Sequence, residues 1–419
     1  MTKTDTTIEK PRAASKQPEP EPPVTPRKRD PLHVFLDVIS SLRLTVIFLA
    51  LSVLLVFIGT LAQVNEGLFN AQHRYFRSLF IWWGPAGANW KIPVFPGGYF
   101  IGGVLLINLL AAHAKRFKFS KKKIGIFTIH AGLILMLLGQ FATDLLSTES
   151  AMHIFEGDTK SYSEDFRASE LAIIDTSDSA KDRVYSIPDS RLQSGGEIRD
   201  SSIPFVVRAK GFWPNADLLR SKTNGVIESG ATMGSLKDVF VAPLPLALDM
   251  DSRNIPAAVV EILDGNNPIG TFLVYAGVTT RQSFEHKGKS YDVILRFARY
   301  YYPFSITLLK ATHENYKGTE EPRNFASRVR VENPSQNEAR ETVIFMNNPL
   351  RYSGLTLFQY QMTGEEMAAR TGQRVSSTFQ VVRNPSWLTP YLSCVMVAAG
   401  LIIQFMMHLF AFAGKRRMR

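Results

Sequence analysis

A single cysteine, Cys394, stands in 419 residues, and it falls inside the last long apolar segment. No disulfide, CxxC redox pair or cysteine zinc site can form within such a chain. Any thiol chemistry it serves belongs to a partner. A Walker motif, GxGxxG and GxSxG are also missing, which disfavours a phosphate-driven pump or a serine hydrolase. His153, His286 and His313 show neither HxxxH spacing nor a nucleophile beside them, so no zinc site is read from them.

Charge is lacking in four long stretches. Mean hydropathy is close to zero, at −0.03, only because very apolar and very polar segments cancel. Leu44 to Ala62 carries no charge; at about 1.5 Å per residue it reaches roughly 28 Å, close to the hydrocarbon thickness of a bilayer. Val94 to Ala114, Ile124 to Thr143 and Trp387 to Gly414 are likewise uncharged. Spans are expected over 41–63, 94–114, 124–146 and 387–414. The formal net charge of +11 concentrates beside these stretches, as in membrane proteins, rather than in a nucleic-acid patch. The short connection 115–123 holds Lys115, Arg116, Lys118, Lys121, Lys122 and Lys123, which places it in the cytoplasm. The tail 415–419, with Lys415, Arg416, Arg417 and Arg419, falls on the same side. Residues 1–40 are expected to be a disordered cytoplasmic tail, Pro-, Lys-, Glu- and Thr-rich to about residue 31 and too long and polar for the start of a cleaved signal.

Two segments remain outside. Residues 64–93 form an outer loop whose Trp82, Trp83 and Trp90 read as interfacial anchors. Residues 147–386 contain short β-branched or aromatic runs, among them Phe205–Ala209, Ala257–Leu263, Thr271–Tyr275, Tyr291–Phe297, Ser305–Lys310, Thr342–Met346 and Thr378–Val382. Gly, Pro, Asn and Asp separate them, and several alternate apolar with polar residues, so a mainly-β, sandwich-like domain is expected. The fold class is a membrane protein with four transmembrane helices and a large extracytoplasmic β domain.

His130 is the clearest candidate for chemistry, because an ionisable side chain inside a span needs a partner. It lies six residues into the third span, roughly 9 Å from its cytoplasmic end. Such an imidazole either ligates haem iron or bonds to a neighbouring helix. His113, next to Lys115 and Arg116, is expected at headgroup level facing the interface, and His408 similarly near the end of the fourth span.

Several stretches are similar to the ResB (CcsB) family of cytochrome c biogenesis proteins. Ser41-Leu42-Arg43-Leu44-Thr45 and Gly59-Thr60 resemble its first span, and His130-Ala131-Gly132-Leu133-Ile134-Leu135 with Gly139 its third. Glu156-Gly157-Asp158, Asn347-Asn348-Pro349-Leu350-Arg351-Tyr352-Ser353-Gly354, Phe358-Gln359-Tyr360 and Val381-Val382-Arg383-Asn384-Pro385 follow in the family's order. The resemblance runs from about residue 36 to the C-terminus.

The resemblance implies cytochrome c maturation of the system II type in a bacterial inner membrane. The implied partner is a tryptophan-rich ResC (CcsA) protein. Together the two would carry haem b across the membrane and attach it to CxxCH motifs of apocytochrome c, with a thioredoxin-like reductant supplying thiol reduction. His130 matches the family's intramembrane haem-ligand histidine, and no catalytic residue is assigned. Some members carry an outer cysteine that this chain lacks, and Trp82-Trp83-Gly84 is not the haem-binding WWD motif, which is expected in the partner. The alternative is a non-catalytic membrane-anchored scaffold.

Overall fold

The computed structural model describes residues 31–85, 90–116, 120, 123–247, 252–315 and 322–417. The expected tail before residue 31, Lys118, Lys121 and Lys122 of the basic loop, and Arg419 lie outside the described residues. Eight α-helices are present among the described residues: α1 Pro31–Ile39, α2 Leu42–Glu66, α3 Leu68–Ala71, α4 Gly98–Arg116, α5 Ile124–Leu146, α6 Asp189–Gln193, α7 Glu365–Thr371 and α8 Thr389–Arg417. Helices α2, α4, α5 and α8 are long and apolar enough to cross a membrane. Their large side chains are widely exposed, Val53 at 72% and Phe405 at 66%. Lipid is the solvent that makes such exposure favourable.

Local chemistry sets the helix ends. The Ser41 hydroxyl accepts from the Leu44 amide at 3.2 Å and caps α2, which stops at Gly67, whose φ of 76° suits glycine. Residues 31–39, expected within the disordered tail, are helical, and Lys115 of α4 pairs with Asp37 of α1. The second span was expected from residue 94, but Ile92–Pro96 is a strand paired with Phe80–Trp83, and the helix starts at Gly98. Gly97 and Gly98 press on the Ser78 and Phe76 backbone with no room for a Cβ, so the turn into α4 occurs there.

Helices α5 and α8 pack along a stripe of glycines seven residues apart. A Cβ on Gly125 would meet the Gln404 amide at 2.8 Å, one on Gly132 would meet Val397 at 2.9 Å, and Gly139 abuts Thr389. From the other side a Cβ on Gly400 would meet the Ile129 amide at 2.7 Å. Membrane helices use small residues in this way because close backbone contact supplies the attraction that lipid does not.

The outer domain contains a ten-stranded antiparallel sheet and a four-stranded one. Two long strands, Thr159–Asp175 and Lys289–Asn315, pair over most of their length, and the second serves two cores. In the second strand the alternate residues Tyr291, Val293 and Leu295 enter the first core with Val260, Ile262 and Phe272. Register shifts around Phe297–Ile306, with Pro303 among them, bend the strand and change which face points inward. Phe304, Ile306 and Leu308 then enter the second core with Ile154, Val329 and Phe379.

The domain is tied directly to the helices. Strand Thr148–Phe155 follows α5 and strand Ser376–Arg383 precedes α8; they pair antiparallel with Thr148 opposite Arg383. Neighbouring strands thus continue into neighbouring helices. At the junction Thr143 and Ser386 hydroxyls are 2.7 Å apart, and the Ser386 amide donates to Asn384 at 2.9 Å. The outer loop adds two ties: Arg77 pairs with Asp144 at the end of α5 at 2.8 Å, and the Arg167 guanidinium lies 3.5 Å over the Phe69 ring.

Candidate functional site: a histidine pair in an intramembrane cavity

Each α-helical residue advances about 100° around the axis. The glycine stripe points one face of α5 at α8, and His130, two residues before Gly132, stands on the opposite face, toward α4. Ile126, His130, Leu133 and Leu137 follow helical spacing along that face and line a cavity of about 560 Å³. Leu105, Asn108, Ala112 and His113 supply the facing wall from α4, and Ser40, Leu42 and Thr45 contribute from the α1–α2 elbow. The volume lies within the range of small-molecule and cofactor pockets, and a mainly apolar wall with few polar groups is their usual make-up.

His130 Nδ1 lies 3.0 Å from His113 Nε2, with ring centroids 4.6 Å apart and planes at 82°. His113 Nδ1 lies 2.8 Å from the Leu109 carbonyl, one helical turn back. His113 was expected to face the membrane interface. Instead it points across to α5, because the face that begins at Leu105 and Asn108 continues to His113. His408 lies 2.7 Å from Gln404 Nε2 on its own helix. Asn108, only 4% exposed, is fully engaged: it donates to the Ile39 and Ser41 carbonyls and accepts from Thr45 at 2.6 Å. The elbow is thereby fixed to α4.

Two imidazole nitrogens on opposite sides of one metal ion stand about 4 Å apart, twice a metal–imidazole bond of about 2 Å. The 3.0 Å spacing of His113 Nε2 and His130 Nδ1 is a hydrogen bond and leaves no room for a metal ion between them. His130 still has Nε2. A single imidazole nitrogen in an otherwise apolar cavity is a donor that could hold a haem iron.

The outer histidines are dispersed. His153 bonds Thr378 at 2.9 Å, and burial pushes its pKa down. His313 stacks on Phe325 with centroids 4.5 Å apart. No group of three or more His, Cys, Asp or Glu fit for a metal occurs among the described residues. Sequence reasoning passed over His73, on the π-helical turn Gln72–Phe76, where its ring lies tilted against Phe69 with centroids 4.5 Å apart. Nothing in the local sequence distinguished it. A second cavity, about 450 Å³, is lined by Phe80, Trp82, Trp83, Arg74 and Lys91 on the outer hairpin. The three outer tryptophans are each about half exposed.

The motifs of the outer domain are structural. Gly157, at φ 89°, makes the turn that sets Asp158 against Arg374 at 2.8 Å. Ser353 and Gly354, both at positive φ, form a two-residue hairpin turn. Arg351 then lies 4.2 Å from the Trp387 ring at the foot of α8.

The ResB-like family model matches residues 267–375. That stretch is similar to the ResB-like family. The matched stretch runs from the strand Asn267–Tyr275 almost to Ser376, so it covers much of the outer domain, including α7, and none of the four long apolar helices. Among curated proteins, Protein NrfI of Wolinella succinogenes is 26% identical over 261 residues, 61% of this chain. This chain spans 25% of the length of NrfI.

Proposed function

We propose that this chain acts in cytochrome c biogenesis as the haem-handling half of a membrane complex. His130 would hold haem through an imidazole nitrogen in the cavity lined by α4 and α5. The other ligand comes from a tryptophan-rich partner of the ResC (CcsA) type. The β domain, held by paired strands on α5 and α8, keeps apocytochrome c near the haem exit, which makes attachment effectively intramolecular. Thioether formation needs reduced cysteines, and a chain whose one cysteine lies in α8 leaves that task to a thioredoxin-like reductant. The observation that carries this reading is an imidazole with an unused ring nitrogen in the wall of a 560 Å³ apolar cavity.

The test is His130→Ala in cells that depend on the protein for c-type cytochromes. The expected outcome is normal accumulation of the protein with c-type cytochromes largely lost. Normal cytochrome levels would leave a scaffold role and remove haem handling.

A further inference from the structure

Resting on the reading of His130 as the haem ligand, we propose that His113 is its positioning residue: it fixes which nitrogen of His130 is free to bind iron and how the ring is turned. The argument is a proton count along one hydrogen-bond chain. A carbonyl oxygen only accepts, so the 2.8 Å contact to Leu109 requires the proton of His113 on Nδ1. In neutral His113, Nε2 then carries a lone pair. The 3.0 Å contact to His130 therefore requires His130 Nδ1 to donate, and His130 Nε2 is left bare. Only a bare nitrogen can coordinate a metal.

The reverse arrangement requires an imidazolium at His113, whose Nε2–H would donate to His130 and leave the proton on the would-be ligand nitrogen. Geometry adds a second role. The bond joins α4 to α5, so His130 is held from a different helix, and donation from Nδ1 raises the basicity of Nε2. A hydrogen-bonded outer partner is the usual companion of a metal-bound histidine, and its removal typically lowers metal affinity about 10–100-fold.

The test uses the full chain with its membrane partner. First, 15N NMR of histidine-labelled, haem-free protein, with His130 assigned by the loss of its signals in His130→Ala, should show Nδ1 protonated and Nε2 bare. The opposite tautomer overturns the proposal. Second, His113→Met and His113→Gln are compared, side chains of similar length of which only Gln carries an acceptor. Haem affinity should fall about 10–100-fold in His113→Met and be partly recovered in His113→Gln. The electron paramagnetic resonance of the ferric complex should change in His113→Met and return toward wild type in His113→Gln. Wild-type affinity and spectrum in His113→Met, with haem lost in His130→Ala, reject the role of His113 alone. Haem retained in His130→Ala rejects the underlying reading instead.

Discussion

Polar side chains in this molecule differ in how completely their neighbours use them. Asn108 has both ends of its amide occupied and serves to hold the α1–α2 elbow. His130 has one nitrogen occupied by His113 and the other unassigned, which is what a ligand requires. The same accounting in the outer domain gives a pH dependence. Asp175 accepts from Ser177 and from Lys289, and these hydrogen bonds, Ser177 first, hold its pKa down to about 2 from an ordinary 3.8. A carboxylate depressed in the folded state adds stability that is complete above the unfolded pKa and is lost as pH falls through the folded one. Acid unfolding of the detergent-purified protein should therefore show a component between about pH 4 and pH 2 that Asp175→Asn removes. An unchanged acid profile in that variant would contradict the assignment. His113 shows why residue identity alone did not reveal the site. Its neighbours Lys115 and Arg116 report depth along α4 but not direction around it, and the partner that gives it meaning is on another helix.

At the scale of elements, the glycine stripe carries the membrane half of the fold. A side chain at Gly132 has no space before Val397 and the Ser393 carbonyl, whereas Gly102 and Gly103 on α4 meet nothing within 4 Å. Gly132→Leu should lower thermal stability and accumulation, by about 1–3 kcal/mol or more as an overpacked contact. Gly103→Ala should do neither, and equal behaviour of the two variants would show that the stripe does not hold α5 to α8. The helices were legible because missing charge is a strong signal. The second span began later than expected because Phe80–Trp83 claims residues 92–96 through long-range pairing. Strands rich in β-branched residues were legible too. Thr159–Asp175 escaped notice since its first half, Thr-Lys-Ser-Tyr-Ser-Glu-Asp, has few apolar residues and is held by its partner strand. Tyr291–Phe297 and Ser305–Lys310 looked like two strands because the bulges between them change the alternation without breaking the strand.

At the scale of the molecule, an ordered domain stands on the helix pair α5 and α8, and its strands continue into both. Four candidate spans among the described residues, with the basic connections on one side, lead us to propose that this domain lies on the other. In a Cys394→Ser background, single cysteines at Lys123 and Gly288 should react with a membrane-impermeant maleimide from opposite sides. Labelling of both from the cytoplasm would overturn the topology. The haem reading is tested most directly by the visible absorption spectrum of the complex purified with its tryptophan-rich partner, wild type against His130→Ala, with and without added imidazole. The account predicts haem bands in the wild type, their loss in the variant and their return when imidazole fills the vacated ligand position. Identical spectra in the three samples would contradict it.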